Sequence, residues 1–535
     1  MKFYEALSQL VAERVTVVFG LVGDGNLFFV DHYARSGGRY VPGLHEASAV
    51  MMAVGHARTT GEPAVATLTH GPGLTNGITA LVEAVRTSTP LLLVVGDTAT
   101  TSRYHTQDVD QQPLVAASGA RFVQVRAAQT LAEDFAVAFA HARERAQPVV
   151  LNVPIDLMWT DVDAPELRPY PAPAGSMLLP DDAQLDKALG IVASAEHPLV
   201  LAGRGARAAR DSLLSLADML GAPVATTLRA KDLFYSEPAD LGVFGSLAAP
   251  ATQAVVAAAD CIVAFGAALN PHTTDRGHLT NGKSIVQVDV DAAAFGRFQE
   301  VDAAVNGDVS RVAERMTAML RELGHRPRHF NSGPAIEQVR AWPTLVDRGT
   351  AETVDIRVAL DFLDRALPAQ RSIVVDVGRF VRHAVTLLHV PDANSWFGSG
   401  AGFSAIGLGI GMAIGVAVAR PDQPAVLVCG DGGFMLGGLN EFRTAVEQKL
   451  DLICVVCNDH AYGAEHVQLV RRGLDPNIAS LTPPDLTGLA RSLGGDGVTI
   501  RNTGQLNDLR DHMASRDRPL LIDLRCDPAL VSTTD

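Results

Sequence analysis

The stretch AVLVCGDGG (425–433), answered further along by LICVVCND (452–459), decides the fold. Each opens with an apolar run of strand length and stops abruptly, the first in glycines and the second in a polar pair. Fully buried parallel strands read this way, and parallel α/β sheets place their ligand sites at the carboxyl ends of such strands. Gly430, Gly432 and Gly433 allow the backbone to come close to a diphosphate. Asp431 and Asp459 set two hard oxygen side chains at adjacent strand ends, which suits a magnesium ion. Mg²⁺ commonly keeps a phosphate among its ligands, so one constellation can hold both metal and diphosphate.

Working outward, VPGLHEASAVMMAVGHAR (41–58) places Glu46 at the start of an Ala/Met-rich helix, just beyond a strand. THGPGLTNGITALVEA (69–84) supplies a glycine turn that opens a second helix, and PLLLVVGD (90–97) follows as a strand. FGSGAGFSAIGLGIGMAIG (397–415) precedes the GDG segment. These blocks, in this order and over nearly the whole chain, resemble the thiamine diphosphate-dependent superfamily of acetolactate synthase, pyruvate decarboxylase and benzoylformate decarboxylase. The overall likeness is nearest to acetolactate synthase-like proteins. The superfamily's GDG-x-NN signature is present with Asp459 where the second Asn stands.

Bulk properties agree with such a protein. A length of 535 residues exceeds a single core and predicts about three domains. A net charge of −15 argues against nucleic acid and anionic membranes as partners. No signal-peptide progression opens the chain, and the scattered cysteines Cys261, Cys429, Cys454, Cys457 and Cys526 suit a reducing cytoplasm. Residues 400–419 are uncharged for the length of a membrane span, but their six glycines and the GDG just beyond favour a buried loop and helix.

Pro-rich stretches at 163–180 and 324–350 read as linkers, giving blocks 1–165, 181–325 and 350–535. Each block alternates short β-rich runs with helical patterns. The runs are VTVVFGLV, AVATLT, PLLLVVGD and PVVLNVP in the first; PLVLAG, APVATTL, CIVAFG and SIVQVDV in the second; SIVVDVG, PAVLVCG, LICVVCN and PLLIDLRC in the third. The expected class is α/β, with three doubly wound parallel-sheet domains. The resemblance labels them pyrimidine-binding, central and diphosphate-binding.

The resemblance also assigns roles. Glu46 matches the glutamate that hydrogen-bonds N1′ of the cofactor's aminopyrimidine. Ile406 matches the bulky residue that props the cofactor in a bent form, and the backbone at Ser404 receives the 4′-amino group. Asp431, Asp459 and a backbone oxygen near Ala461 match the Mg²⁺ ligands. Gly378, Arg379, Gly430, Gly432 and Gly433 line the diphosphate, although many relatives carry Gln-His where this chain has Arg379-Phe380.

On the substrate side the signals divide. Asp24 lies in Gly23-Asp-Gly-Asn-Leu27, and Glu465 stands seven residues after Asn458; both resemble acids of pyruvate decarboxylases. Their adjacent His-His pair is missing from TSRYHTQDVDQQP (101–113), where Gln107 instead resembles an active-site Gln of acetolactate synthases. His70 and His105 are further candidates for moving protons. The expectation is decarboxylation of a 2-oxo acid followed by carboligation to an aldehyde or second 2-oxo acid, with plain aldehyde release as the alternative. In the superfamily Glu46 and the GDG domain meet across a subunit interface, so a homodimer or homotetramer is implied.

A rival reading rests on PLVLAGRGARAA (198–209), a strand followed by Gly203-x-Gly205-x-x-Ala208, the outline of a dinucleotide fingerprint. It would make the chain a nicotinamide or flavin oxidoreductase. No acid ends the next strand, and Arg229 and Lys231 stand there instead. Bound FAD is therefore possible but not favoured, and the presence of Glu46, Asp431 and Asp459 counts against a non-catalytic binding protein.

Overall fold

A computed structural model describes residues 1–162, 178–341 and 344–528. Most of the Pro-rich stretch expected at 163–180 lies outside the described residues. Three six-stranded sheets organise the chain, and every strand pairing printed for them is parallel. The first sheet holds β1 (Val17–Gly20), β2 (Arg39–Pro42), β3 (Ala64–Leu68), β4 (Leu91–Asp97), β5 (Arg121–Gln124) and β6 (Val149–Pro154), in the order β2-β1-β3-β4-β6-β5. The second holds β7 (Pro198–Ala202), β8 (Val224–Thr226), β9 (Asp240–Val243), β10 (Cys261–Phe265), β11 (Ser284–Asp289) and β12 (Ala303–Asn306), in the order β12-β11-β10-β7-β8-β9. The third holds β13 (Ser372–Val375), β14 (Trp396–Gly398), β15 (Ala425–Gly430), β16 (Leu452–Asn458), β17 (Asp496–Ile500) and β18 (Leu520–Arg525), ordered β14-β13-β15-β16-β18-β17.

The first and third sheets thus share one strand order, and the second has the order of dinucleotide-binding sheets. The expected α/β architecture of three doubly wound domains is what the chain adopts. By contact, one compact unit comprises Met1–Pro171, Asp347–Val381 and Phe397–Asp535, so it contains the first and third sheets. The other comprises Ala172–Val346 and Arg382–Trp396 around the second sheet.

Within the larger unit, two helices bind the sheets together: α1 (Glu46–Thr60) after β2, and α3 (Gly409–Ala419) after β14. They occupy equivalent places in the two sheets, as do α2 (Pro72–Arg86) after β3 and α4 (Leu439–Glu447) after β15. Glycines set the distance between α1 and α3. A Cβ on Gly415 would lie 1.9 Å from the Met52 carbonyl oxygen, and one on Gly55 would lie 2.2 Å from that of Met412. Around this contact one continuous core joins residues of both sheets, including Met51, Met52, Met412 and Ile414. The uncharged run 400–419 is accordingly a loop followed by an 11-residue buried helix. No helix among the described residues is long and apolar enough to cross a membrane.

The smaller unit has its own core. The Pro-rich chain after 324 is not free of it: the helix Pro334–Arg340 buries Ile336 there, and the Arg328 and Asn331 amides donate to the Leu220 and Gly221 carbonyls. Its glycine turn serves packing, since a Cβ on Gly203 would lie 2.2 Å from the Gly266 carbonyl oxygen. Lys231 is buried against Asp232 at 2.6 Å, with Asp232 also facing His389. All five cysteines are buried and free, and Cys454 and Cys457 lie inside β16 as core residues.

Gly415→Ala should cost about 1–3 kcal/mol or more, because the clash is with backbone and cannot be relieved by a rotamer change. Gly190→Ala, in the helix Asp182–Ser194 with open space around it, should instead gain about 0.5–1 kcal/mol. Thermal or denaturant unfolding of both variants against the parent checks the contrast.

Candidate active site

In each outer sheet the strand order reverses between the first and third strands of the domain, the place where open α/β sheets form a crevice. The loops after β1, β3 and β4, and those after β13, β15 and β16, carry most of the residues singled out above, while Glu46 follows β2 and Ser404 and Ile406 follow β14.

The first group gathers on the β1, β3 and β4 ends. Asn26 shapes the loop around Asp24: its Oδ1 accepts the Gly23 amide at 2.8 Å, and its Nδ2 donates to the Leu21 carbonyl and Thr67. Asp24 itself is exposed. Gly25 packs directly on His70, whose Nε2 lies 3.1 Å from Nδ1 of His105. Gln107 donates its backbone amide to the same His105 nitrogen at 3.2 Å. His70 is 1 % exposed, and burial lowers its pKa, reinforced by His105 and opposed by Asp97, Asp24 and Asp108. Asp24, His70, His105 and Gln107 therefore form one cluster, and the Gln107 Oε1 is buried without a hydrogen-bond partner.

Glu46 opens α1, as its position in the sequence leads one to expect, and Asn76 of α2 donates to its Oε2 at 3.0 Å. What fixes this helix start is Glu441, a residue with no role in the sequence reading. The fully buried Glu441 of α4 accepts the Leu44 and His45 amides at 2.8 and 2.9 Å and also holds Thr444. Glu83 of α2 does the reciprocal work: it accepts the Gly402 and Phe403 amides, the latter at 2.7 Å, just before Ser404. Ser404 has φ +58, a left-handed conformation that costs a non-glycine residue energy and that this anchoring sustains. Both acids sit on buried helix faces, Glu83 three residues after the buried Ala80 and Glu441 three before Thr444. A carboxylate at apolar-face spacing was the available signal for them.

The second group lies on the β13, β15 and β16 ends. Asp376, also missed by the sequence reading, is buried and accepts the Val377 and Gly407 amides and the Ser399 hydroxyl at 2.8–2.9 Å. It thereby folds the loop carrying Ser404 and Ile406 back toward Gly378 and Gly433, with a Gly433 Cβ falling 3.9 Å from Ile406. Gly432 leaves room for the Tyr462 ring, and Gly430 faces Phe380. Asp431 is 1 % exposed; burial, then the charge of Asp459, pushes its pKa up to about 7. Its Oδ2 has no hydrogen-bond partner. Asp459 is paired with Arg379, whose Nε donates at 2.7 Å, while its other oxygen accepts the Ala461 amide. Burial raises its pKa and Arg379 opposes the rise. Glu465 is exposed on the first turn of α5 (Gly463–Arg471).

No cluster of three or more His, Cys, Asp or Glu side chains for a metal exists among the described residues. The donor set still fits a divalent cation that brings its own phosphate ligands: a buried carboxylate oxygen lacking any partner is what such an ion would satisfy.

Comparison with known proteins agrees with this geometry. Family models match three successive segments: "Thiamine pyrophosphate enzyme, N-terminal TPP binding domain" at residues 1–118, the central domain at 185–316, and the C-terminal TPP binding domain at 376–524. The chain belongs to the thiamine pyrophosphate enzyme family. It is 30% identical to the "Probable 2-ketoarginine decarboxylase AruI" of Pseudomonas aeruginosa over 94% of this chain and 90% of that protein. It is 26% identical to the sulfoacetaldehyde acetyltransferase of Alcaligenes xylosoxydans xylosoxydans, covering 92% and 86%. A "Probable acetolactate synthase large subunit" of Methanococcus aeolicus is 25% identical, covering 98% and 91%. The chain is therefore an enzyme dependent on thiamine diphosphate, near acetolactate synthase-like proteins.

A pH dependence follows from Asp431. Its carboxyl ionises near 7 in the fold against 3.8 ordinarily, so between these values the folded chain holds a proton that the unfolded chain has released. In the cofactor-free protein this group's contribution to stability thus falls as pH rises from about 4 to 7. Cation binding requires the ionised form and should strengthen through the upper part of the same window. Asp431→Asn should flatten this part of the melting-temperature profile and remove any rise produced by Mg²⁺ with thiamine diphosphate; melting curves at pH 5, 6, 7 and 8 check both.

Proposed function

We propose that this enzyme cleaves the bond between the carboxylate and carbonyl carbons of 2-oxo acids, using thiamine diphosphate and Mg²⁺, and protonates the remaining fragment to release an aldehyde. In this reading residues 1–165 bind the pyrimidine, 181–325 form the central domain and 350–535 bind the diphosphate. Bound thiamine diphosphate would supply a nucleophilic carbon and an electron sink for decarboxylation.

The chain's own groups do the rest. Glu46, held by Asn76 and by the Glu441 anchor of its helix start, hydrogen-bonds the aminopyrimidine N1′. The Ser404 backbone would receive the 4′-amino group, and Ile406 would support the cofactor's rings. Gly378, Gly430, Gly432 and Gly433 lie along the diphosphate, while Asp431, Asp459 and the Ala461 carbonyl face the cation.

The observation that carries the aldehyde reading is the His70–His105 hydrogen bond. The missing adjacent histidines made carboligation the expectation from sequence; two histidines from separate loops stand together within reach of the Asp24 charge, which supports a proton-transfer role for them. His70 relays the proton, taking one up at one ring nitrogen as it gives one from the other, and Asp24 and Glu465 complete the set. A specific feature favours carboligation as the second reading: the Gln107 Oε1 is buried and unpartnered, and it could accept a hydrogen bond from a second substrate.

Support for a shared site between subunits comes from exposed apolar side chains beside each cofactor segment: Leu44 before Glu46, Phe403 before Ser404, Leu436 after Gly433 and Tyr462 after Ala461. A homodimer covering these residues, or a tetramer built from it, is the assembly we infer. Five free buried cysteines suit a reducing cytoplasm.

Incubation with 2-oxo acids bearing small apolar, aromatic and cationic side chains, with product analysis, tests the assignment. The parent should form mainly aldehyde and CO₂ from its preferred acid, even with acceptor present. His70→Asn should slow aldehyde formation by about 10²-fold or more and shift residual product toward acyloin. If the parent yields chiefly an acyloin or a 2-hydroxy-3-oxo acid, carboligation is the function and proton delivery by His70 is not.

A further inference from the structure

The two acids at the candidate cation pocket differ in one respect. Asp431 presents a buried oxygen with no partner, whereas both oxygens of Asp459 are engaged. Asp459 Oδ2 accepts the Nε–H of Arg379 at 2.7 Å and lies 2.5 Å from Nη2 as an ion-pair contact without a hydrogen bond, and its Oδ1 accepts the Ala461 amide at 3.1 Å. Arg379 is held through Nε and Nη1. Its side chain is 2 % exposed, and Nη1 donates to the Pro528 carbonyl at 2.9 Å. The fold makes room for this pair: a Cβ on Gly463, at the start of α5, would lie 2.5 Å from Arg379 Nε and 2.6 Å from Asp459 Oδ2.

Charge accounts for why the two residues occur together. The resemblance places a neutral Asn where Asp459 stands and a neutral Gln where Arg379 stands. The pair adds one negative and one positive charge, so Asp431, Asp459 and Arg379 together carry the same net charge as Asp431 flanked by two amides. A lone second carboxylate would raise the pocket's attraction for cations, and a lone buried arginine would oppose it and destabilise the fold.

We propose that Arg379 is a positioning residue that holds and neutralises Asp459 at the pocket, so that Asp431 supplies the uncompensated charge for the divalent cation, and that this ion pair sets the pocket's cation affinity. The inference rests on the reading of Asp431 and Asp459 as the cation pocket.

Mn²⁺ binding to the whole protein without thiamine diphosphate, followed by electron paramagnetic resonance, tests it with melting temperature as a second readout. Arg379→Gln should free Asp459 and tighten Mn²⁺ binding by about tenfold or more. Gly463→Ala, which leaves the charges intact but pushes the pair apart, should change affinity in the same direction. Asp459→Asn should lower the melting temperature by stranding the buried guanidinium, and the double variant Arg379→Gln/Asp459→Asn should recover both melting temperature and affinity toward the parent. Arg379→Lys retains the charge and should keep Mn²⁺ affinity within about threefold of the parent. Unchanged or weaker Mn²⁺ binding in Arg379→Gln, or a double variant equal to the sum of its singles, overturns the proposal. Absence of Mn²⁺ binding by the parent, with and without cofactor, removes the cation pocket itself.

Discussion

The close crossing of α1 and α3 is the constraint on which the larger unit depends. Gly55, Gly411 and Gly415 bring backbone against backbone, so the two helices can sit only where their carbonyls and Cα atoms allow. Interior packing at this density transmits small displacements rather than absorbing them. Glu46 is the first residue of α1, and Ser404 and Ile406 lie in the loop that leads into α3. The helix pair therefore places two of the cofactor-facing segments at once. Glu441 and Glu83 complete the device: each reaches from the helix after its own third strand to the backbone entering the other sheet's leading helix. Leaving those amides buried without an acceptor would cost about 1–3 kcal/mol each, so the two carboxylates stabilise the geometry as well as the fold.

This reciprocity extends to the loops. The first and third sheets have the same order, so the β1 loop with Asp24 corresponds to the β13 loop with Arg379, and the β3 loop with His70 to the β15 loop with Asp431. One architecture has been given two electrostatic characters. On the first sheet, burial lowers the pKa of His70 and favours its neutral imidazole. On the third, burial raises the pKa of Asp431 and Asp459, Arg379 opposes the rise at Asp459, and Asp431 keeps an oxygen without a hydrogen-bond partner.

Much of this was legible in the sequence, and what was missed follows a pattern. All twelve runs read as strands are strands, namely β1, β3, β4, β6, β7, β8, β10, β11, β13, β15, β16 and β18. The six strands outside those runs, β2, β5, β9, β12, β14 and β17, are the two edges of each sheet, and of these only β2 was anticipated, as the strand just before Glu46. Edge strands are half-covered, and Arg39–Pro42 and Arg121–Gln124 lack the continuous apolar run that marks a strand buried on both faces. The site divides in the same way. Glu46, Asp431 and Asp459 stand out as candidates because motif spacing and strand ends mark them. The His70–His105 pair and the Arg379–Asp459 pair join residues 35 and 80 positions apart, and no local pattern encodes such meetings. Glu83, Glu441 and Asp376 were hidden for a further reason: they hold backbone rather than ligand, and buried acids on apolar helix faces or at strand ends carry no motif.

The central claim is that Glu46, placed by this helix pair, activates bound thiamine diphosphate. Hydrogen–deuterium exchange at the thiazolium C2 of the protein-bound cofactor, in the presence of Mg²⁺, measures that step without any substrate. Glu46→Gln preserves shape and packing but cannot stabilise a protonated N1′, so exchange should slow by about 10²-fold or more while the cofactor still binds. Equal exchange rates in the variant and the parent, both loaded with cofactor, would contradict the account.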